Sequence, residues 1–282
     1  MVHPFVAAAA RRTPILSRLI KRIDHLTVEN NDLRREIQLA LQNPGAAPPT
    51  QAPNGHRVFD HAKAQDYEMS HAEQWIRENA NWVWPLFDNA KAGAREIHEI
   101  VLQEFFASDR SLWEQFARSL DGKVLLDVGS GPVPAPSFWP WPARRYVIDP
   151  LAGEYDRFVR QLFGRSWFEG ITLLHDAAEH NVADLNGKVD GAVYCRNCLD
   201  HCAEPYLVLS NLASYAAPGS ALLLWTDLFH IHGPDAGHSN ITKDRDGFRR
   251  LVENLGFMIV REVPEAMGRD TINFGCFAVK RA

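Results

Sequence analysis

The sequence predicts an α/β protein: a seven-stranded sheet with an antiparallel last strand, a helical cap ahead of it, and a coiled-coil helix at the N-terminus. Three observations predict it. Val124–Gly131 (VLLDVGSG) is an apolar run broken only by Asp127 and closed by two glycines, the pattern of a strand buried on both faces that ends in a tight turn. Asp149 closes a second such run, Arg145–Asp149, at about the 20-residue distance where an acid can accept hydrogen bonds from a ribose. Beyond it, apolar runs and amphipathic stretches alternate to the C-terminus, as they do in parallel sheets covered by helices.

Taken in order, residues 16–40 carry a heptad. Leu16, Leu19, Ile23, Leu26, Asn30, Leu33, Ile37 and Ala40 alternate by three and four, which makes one apolar seam on a supercoiled helix. Asn30 falls at an a position, where a buried amide fixes register, and Glu29 at g can pair with Arg34 at e of a partner chain. A homodimer through residues 16–40 follows, with one amphipathic helix packed on its own domain as the alternative. Residues 43–57 form a Pro-rich linker, poorly able to pack. Residues 58–120 read as a helical cap. Ser70-His-Ala-Glu73 has the form of a capping box opening a helix with Trp75 and Ile76, Ile97 to Phe106 mark a second helix, and Leu112 to Leu120 a third. Strands are expected at 124–128, 145–148, 171–174, 190–195, 220–226, 257–263 and 273–280, with helices near 154–163, 205–216 and 243–254. Met267–Thr271 is too short for a crossover helix, so the last two strands should be an antiparallel hairpin in an otherwise parallel, Rossmann-like sheet.

Composition narrows the function classes. The chain has 282 residues, 46% hydrophobic and 10% aromatic, which suffices for a sizeable core. Residues 1–41 hold seven Lys/Arg against four acids, a balance of +3 that leaves −8 for the rest of a chain of net charge −5. So acidic a main domain argues against a nucleic-acid footprint. No apolar run has the length of a membrane span, and Phe5–Ala10 is too short for a signal-peptide core, so a cytoplasmic location is expected. The four cysteines do not make a secreted disulfide framework.

From residue 120 to 282 the chain resembles a class I S-adenosylmethionine-dependent methyltransferase of the bacterial small-molecule or glycan type. Asp127-Val-Gly129-Ser130-Gly131 resembles the family's first motif, an acid followed by the glycine turn. Asp149, with Pro150 after it, matches the acid that holds the ribose hydroxyls. Asp176 and the amide of Ala177 fall in the segment that recognises adenine, and Asn197 to His201 resemble the motif after strand four. The resemblance implies S-adenosyl-L-methionine as cofactor, with Asp127 suited to its ammonium end. It also implies a hydroxyl of a saccharide or small metabolite as methyl acceptor. The chain departs from the family at Pro132, Pro134, Pro136, Pro140 and Pro142, which forbid the usual helix after the glycine turn. A short irregular segment is expected there, with Phe138, Trp139 and Trp141 available to shape the pocket. Tyr67, Trp75, Trp82 and Trp84 of the cap are aromatic candidates for covering a sulfonium, although tryptophans more often fill cores.

Methyl transfer to a hydroxyl benefits from a general base, and histidine titrates in the useful range. Two segments place polar groups at carboxyl ends of strands: Asp200-His201 after strand four, and Asp227 to His238 after strand five. His230 and His232 are the first candidates for the base, then His201 with Asp200; His238 reads as a helix cap or a solvated side chain. Asp227, His230, His232 and Asp200 could chemically ligate a metal, but their spacing matches no closed ligand signature and none is expected. Cys195, Cys198 and Cys202 lack a fourth ligand and read as small buried residues. Two other classes compete. A nicotinamide-dependent oxidoreductase is weakened by Pro134 where a third glycine should stand, and by the reversed last strand. A non-catalytic scaffold of the same fold is weakened by the intact Asp127, Gly129, Gly131, Asp149 and Asp176. Deleting residues 1–42 is expected to convert a dimer into a monomer by light scattering; an unchanged dimer refutes the coiled-coil assignment.

Overall fold

The structure is a computed structural model that describes residues 61–88, 105–106, 109–139, 144–234, 237–264 and 270–282. The heptad at 16–40, the linker at 43–57, Ile97–Val101 and Trp141 lie outside these residues. Five α-helices are described: α1 (His61–Asp88), α2 (Arg110–Ser119), α3 (Ala152–Phe163), α4 (Pro205–Tyr215) and α5 (Arg245–Asn254). Seven strands, β1 (Val124–Val128), β2 (Arg144–Ile148), β3 (Thr172–Leu174), β4 (Ala192–Arg196), β5 (Ala221–His230), β6 (Phe257–Glu262) and β7 (Thr271–Lys280), form one sheet in the order β3-β2-β1-β4-β5-β7-β6. β1 to β5 are parallel, and β7 runs antiparallel between β5 and β6. Among the described residues no helix is long and apolar enough to cross a membrane.

The two-residue period of the strands sorts their side chains onto two covered faces. Leu126, Val193, Cys195, Leu222 and Leu224 enter one core with Val208 and Leu212 of α4 and Phe248 and Val252 of α5. Leu125, Ala192, Tyr194 and Leu223 point the other way, onto Trp113 and Phe116 of α2 and onto Phe105 and Phe106. A third cluster joins Ala72 and Ile76 of α1 to Tyr155, Phe158 and Val159 of α3. Helix ends follow local chemistry. Asp109 caps α2 through Leu112 N–H (3.0 Å) and Asp244 caps α5 through Gly247 N–H (2.8 Å), while α3 stops at the left-handed Gly164. Arg245 donates to the Asn273 and Val263 carbonyls and pairs with Glu262, tying α5 to the β6–β7 pair.

Two expectations change. α1 is continuous through Ser70, which lies exposed in mid-helix and caps nothing. Ala64, Glu68, Ala72 and Ile76 recur every four residues, and the burial of Ala72 and Ile76 against α3 overrides the Ser-x-x-Glu signal. After β1 the prolines do replace a long helix, with a 3-10 turn at Ala135–Phe138, but Trp139 fills the core rather than a pocket. Its ring meets Trp113, Phe116 and Tyr194 at centroid distances of 6.2, 5.9 and 5.7 Å. Asp127 Oδ2 accepts the Ala135 N–H at 2.9 Å and thereby anchors the start of this turn.

β5 carries an irregularity. Its pairing with β7 shifts between Asp227 and Phe229, so the strand end leaves strict alternation. At the opposite side of β4, the turn after β1 packs against the turn after β4. Gly129 has φ of +68°, and a Cβ there would overlap the Cys198 side chain; Gly131 has φ of +58° and open space around it. Gly129→Ala is therefore expected to destabilise by about 2–5 kcal/mol, the sum of left-handed strain and overpacking. Gly131→Ala is expected to cost only about 1–2 kcal/mol. Urea denaturation of the two variants measures the difference.

Candidate active site

A cavity of about 490 Å³ opens at the carboxyl ends of β1, β2 and β4, where the strand order reverses and ligands bind in open α/β sheets. Glu68, His71 and Trp75 of α1 line one side; the glycine turn, Asp149, Asn197 and His201 line the other. The Asp149 carboxylate is buried and joins two turns. Oδ2 accepts from Gly131 N–H (3.0 Å) and Oδ1 from Leu151 N–H (2.8 Å), and each oxygen keeps a further lone pair. Burial pushes its pKa up to about 6, against the lowering effect of the Leu151 and Gly131 amides. Ser130 and Pro150 line the same cavity.

Not every expected cofactor residue faces it. Asp127 is buried beneath the turn, outside the cavity lining; one oxygen holds Ala135 and the other, Oδ1, accepts no hydrogen bond. Burial drives its pKa well above the usual carboxylate range, so an exposed ammonium-binding charge is not what this side chain offers. Asp176 is also outside the lining. Its Oδ1 accepts the Ala177 N–H (2.9 Å) and contacts His180 Nδ1 (2.6 Å), while Ala177 and Ala178 do reach the cavity. Asn197 has φ of +53°, the one non-glycine with positive φ among the described residues. Its backbone N–H bonds the Trp225 carbonyl at 2.7 Å, and Nδ2 lies 3.2 Å from His201 Nε2.

Behind His201 the polar groups after β4 and β5 converge. Asp200 is fully buried; Oδ1 accepts from Thr226 Oγ1 at 3.1 Å, and Oδ2 accepts no hydrogen bond. Around Oδ2 stand His230 Nε2 at 3.6 Å, His201 Nε2 at 3.9 Å and His238 Nε2 at 3.9 Å. His201 Nδ1 faces Glu68 Oε1 at 3.0 Å. Burial pulls the His201 pKa down, but the Glu68 and Asp200 carboxylates outweigh it and raise it to about 9. His232 stands apart on the surface, 3.5 Å from the exposed Asp270. Sequence reasoning left Glu68 unmarked and set His238 aside. Glu68 was legible as the lone acid at four-residue spacing from Ala64, Ala72 and Ile76. His238 had no such signal, because only the fold brings its loop back over β4: Ser239 N–H bonds the Asp200 carbonyl at 2.7 Å. Cys195, Cys198 and Cys202 are buried thiols, as expected.

The strand order, with β7 reversed between β5 and β6, separates this sheet from a nicotinamide-binding one. It is the class I methyltransferase fold. Among solved structures the chain is similar to the cyclase SpnF, with a TM-score of 0.50 and 14% identity over 79% of this chain and 96% of that one. It also matches magnesium protoporphyrin IX methyltransferase from Synechocystis with bound SAH, with a TM-score of 0.46 and 17% identity over 76% and 100% of the two chains. A further match is a SAM-dependent methyltransferase from Aquifex aeolicus, with a TM-score of 0.44 and 17% identity over 67% and 97%. No protein-family model and no curated protein matches the sequence.

Asn197→Gly should remove left-handed strain and leave stability within about 1 kcal/mol of the parent, whereas Asn197→Ala should cost about 1–2 kcal/mol. Thermal or urea unfolding reads both.

Proposed function

We propose that the protein is an S-adenosylmethionine-dependent methyltransferase that methylates a hydroxyl of a saccharide or small metabolite. The observation that carries this reading is Asp149, a buried carboxylate with lone pairs to spare, at the mouth of the cavity where the sheet's order reverses. A ribose diol is the natural donor to it. The Glu68 and Glu179 carboxylates and the Trp75 ring, which line the same cavity, suit a cation, and the donor is a sulfonium bearing an ammonium group. Ala177 and Ala178 would take the adenine edge. For the Ala177 amide to contribute, adenine must displace its present bond to Asp176.

The donor supplies its own leaving group, so the protein's task is alignment and exclusion of water. The methyl–sulfur bond breaks as the oxygen–methyl bond forms, S-adenosylhomocysteine leaves, and the hydroxyl proton must go elsewhere. His201, with its pKa raised by the Glu68 and Asp200 carboxylates and Nδ1 held by Glu68, is poorly suited to be the base and instead shapes the cavity wall. The proton is then taken within the Asp200 cluster, and of the expected bases His230 belongs to that cluster, 3.6 Å from Asp200, while His232 stands apart on the surface. SpnF, a cyclase of this fold, makes the reaction a matter for the site rather than the fold.

Calorimetric titration with S-adenosylhomocysteine, with NAD in parallel, tests the reading. Binding of the first and not the second is expected, and Asp149→Ala should weaken it at least tenfold. No binding of S-adenosylhomocysteine by the pure parent protein sinks the proposal. The pH dependence has a defined sign. Asp149 is ionised above about pH 6 and protonated below, so affinity should fall as pH drops through about 6. The same titration with Asp149→Asn should show a weak, flat profile through that range.

A further inference from the structure

The geometry around Asp200 points to a binding site for one divalent transition-metal ion, held by Asp200, His201 and His238, whose ligand atoms all lie within 4.8 Å of one another. Asp200 is completely buried, and its Oδ2 accepts no hydrogen bond while three imidazole nitrogens stand 3.6–3.9 Å away. Those separations are too long for hydrogen bonds. They are only slightly wider than the edge of about 3.4 Å that tetrahedral ligands with arms of about 2.0–2.1 Å would have. A buried carboxylate oxygen left without a hydrogen bond is costly, and a cation between it and the imidazoles removes that cost. Asp227 adds to the same argument: Oδ1 is buried without a hydrogen-bond partner, and a carboxylate oxygen of Asp227 lies within 4.8 Å of ligand atoms of Asp200 and His230.

The surroundings have the form of an outer ligand shell. Glu68 Oε1 at 3.0 Å from His201 Nδ1 fixes the ring with Nε2 between Asp200 Oδ2 (3.9 Å) and Asn197 Nδ2 (3.2 Å), which an ion would displace, as carboxylates fix metal-bound histidines. Thr226 Oγ1 on Asp200 Oδ1 orients the carboxylate so that Oδ2 points at the imidazoles. Asn240 Oδ1 accepts the His230 N–H at 2.7 Å and holds the end of β5 in place. Two imidazole nitrogens with a carboxylate oxygen suit zinc, cobalt, manganese or iron better than magnesium or calcium. The histidine set differs from what sequence spacing offers, since His230 and His232 give way to His201 and His238. An ion here would stand behind the cavity wall that His201 forms.

The test uses untagged full-length protein stripped with chelator, and cobalt(II) as the probe, whose visible d–d absorbance reports coordination without any activity assay. One cobalt per chain, displaced by zinc, is expected. His201→Gln and His238→Gln should each weaken cobalt binding at least tenfold, and Glu68→Gln about tenfold. Asp200→Asn should abolish it; if that variant does not fold, the two histidine variants carry the result alone. No saturable absorbance in the parent overturns the site, and so does binding that both histidine variants leave unchanged. Asp149→Ala, which should lose S-adenosylhomocysteine, should bind cobalt as the parent does. The metal site and the methyl-donor reading therefore fail separately.

Discussion

The contact between the turn after β1 and the turn after β4 is the constraint on which the site depends. Gly129 lies so close to Cys198 that no side chain fits between them, and both turns hold left-handed residues, Gly129 and Asn197. Parallel neighbours diverge in connection at this point: the chain leaves β1 toward β2 and leaves β4 toward β5. Closing the gap at its floor leaves the space above as a cavity rather than a cleft running through the sheet. Asp149 then ties the β1 turn to the β2 turn by accepting from Gly131 and Leu151. Three strand ends are thereby held in one geometry before any ligand arrives, which is the preorganisation that a transfer reaction needs.

The same wall gathers an unusual amount of buried negative charge. Asp127, Asp149 and Asp200 are all buried at the ends of neighbouring strands, and burial raises the pKa of the first two. A protein that keeps such groups pays in stability unless something cationic is found for them. The ribose hydroxyls of the proposed donor answer Asp149 on the cavity side, and its sulfonium and ammonium answer Glu68. The proposed metal ion answers Asp200 behind it. Asp127 is answered in part by the Ala135 amide, and it serves the structure by fixing the proline-rich turn that stands where a helix would otherwise begin.

Strand positions were legible because the central strands are buried on both faces and read as unbroken apolar runs; β1 matches its expected bounds residue for residue. The reversed β7 was legible from a connection too short for a helix. What escaped was whatever depends on distant contacts. Ser70-x-x-Glu73 is a local signal that the burial of Ala72 and Ile76 against α3 overrides. Trp139 could have faced a pocket or a core, and only the aromatic cluster around Phe116 and Tyr194 decides it. The Asp200 cluster draws on α1, the β4 turn and the loop after β5. No spacing in the sequence relates Glu68, His201 and His238.

The shift in β5 between Asp227 and Phe229 has a consequence for how this site could change over time. In a regular strand, residues three apart such as Asp227 and His230 point to opposite faces. The shift cancels that parity, and both reach toward Asp200. Gain or loss of a single residue there would swing one of them away while the pairing of residues 221–226 with β7 stays as it is. The polar centre is thus one small insertion or deletion from a different set of polar groups, on a scaffold that would barely register the event.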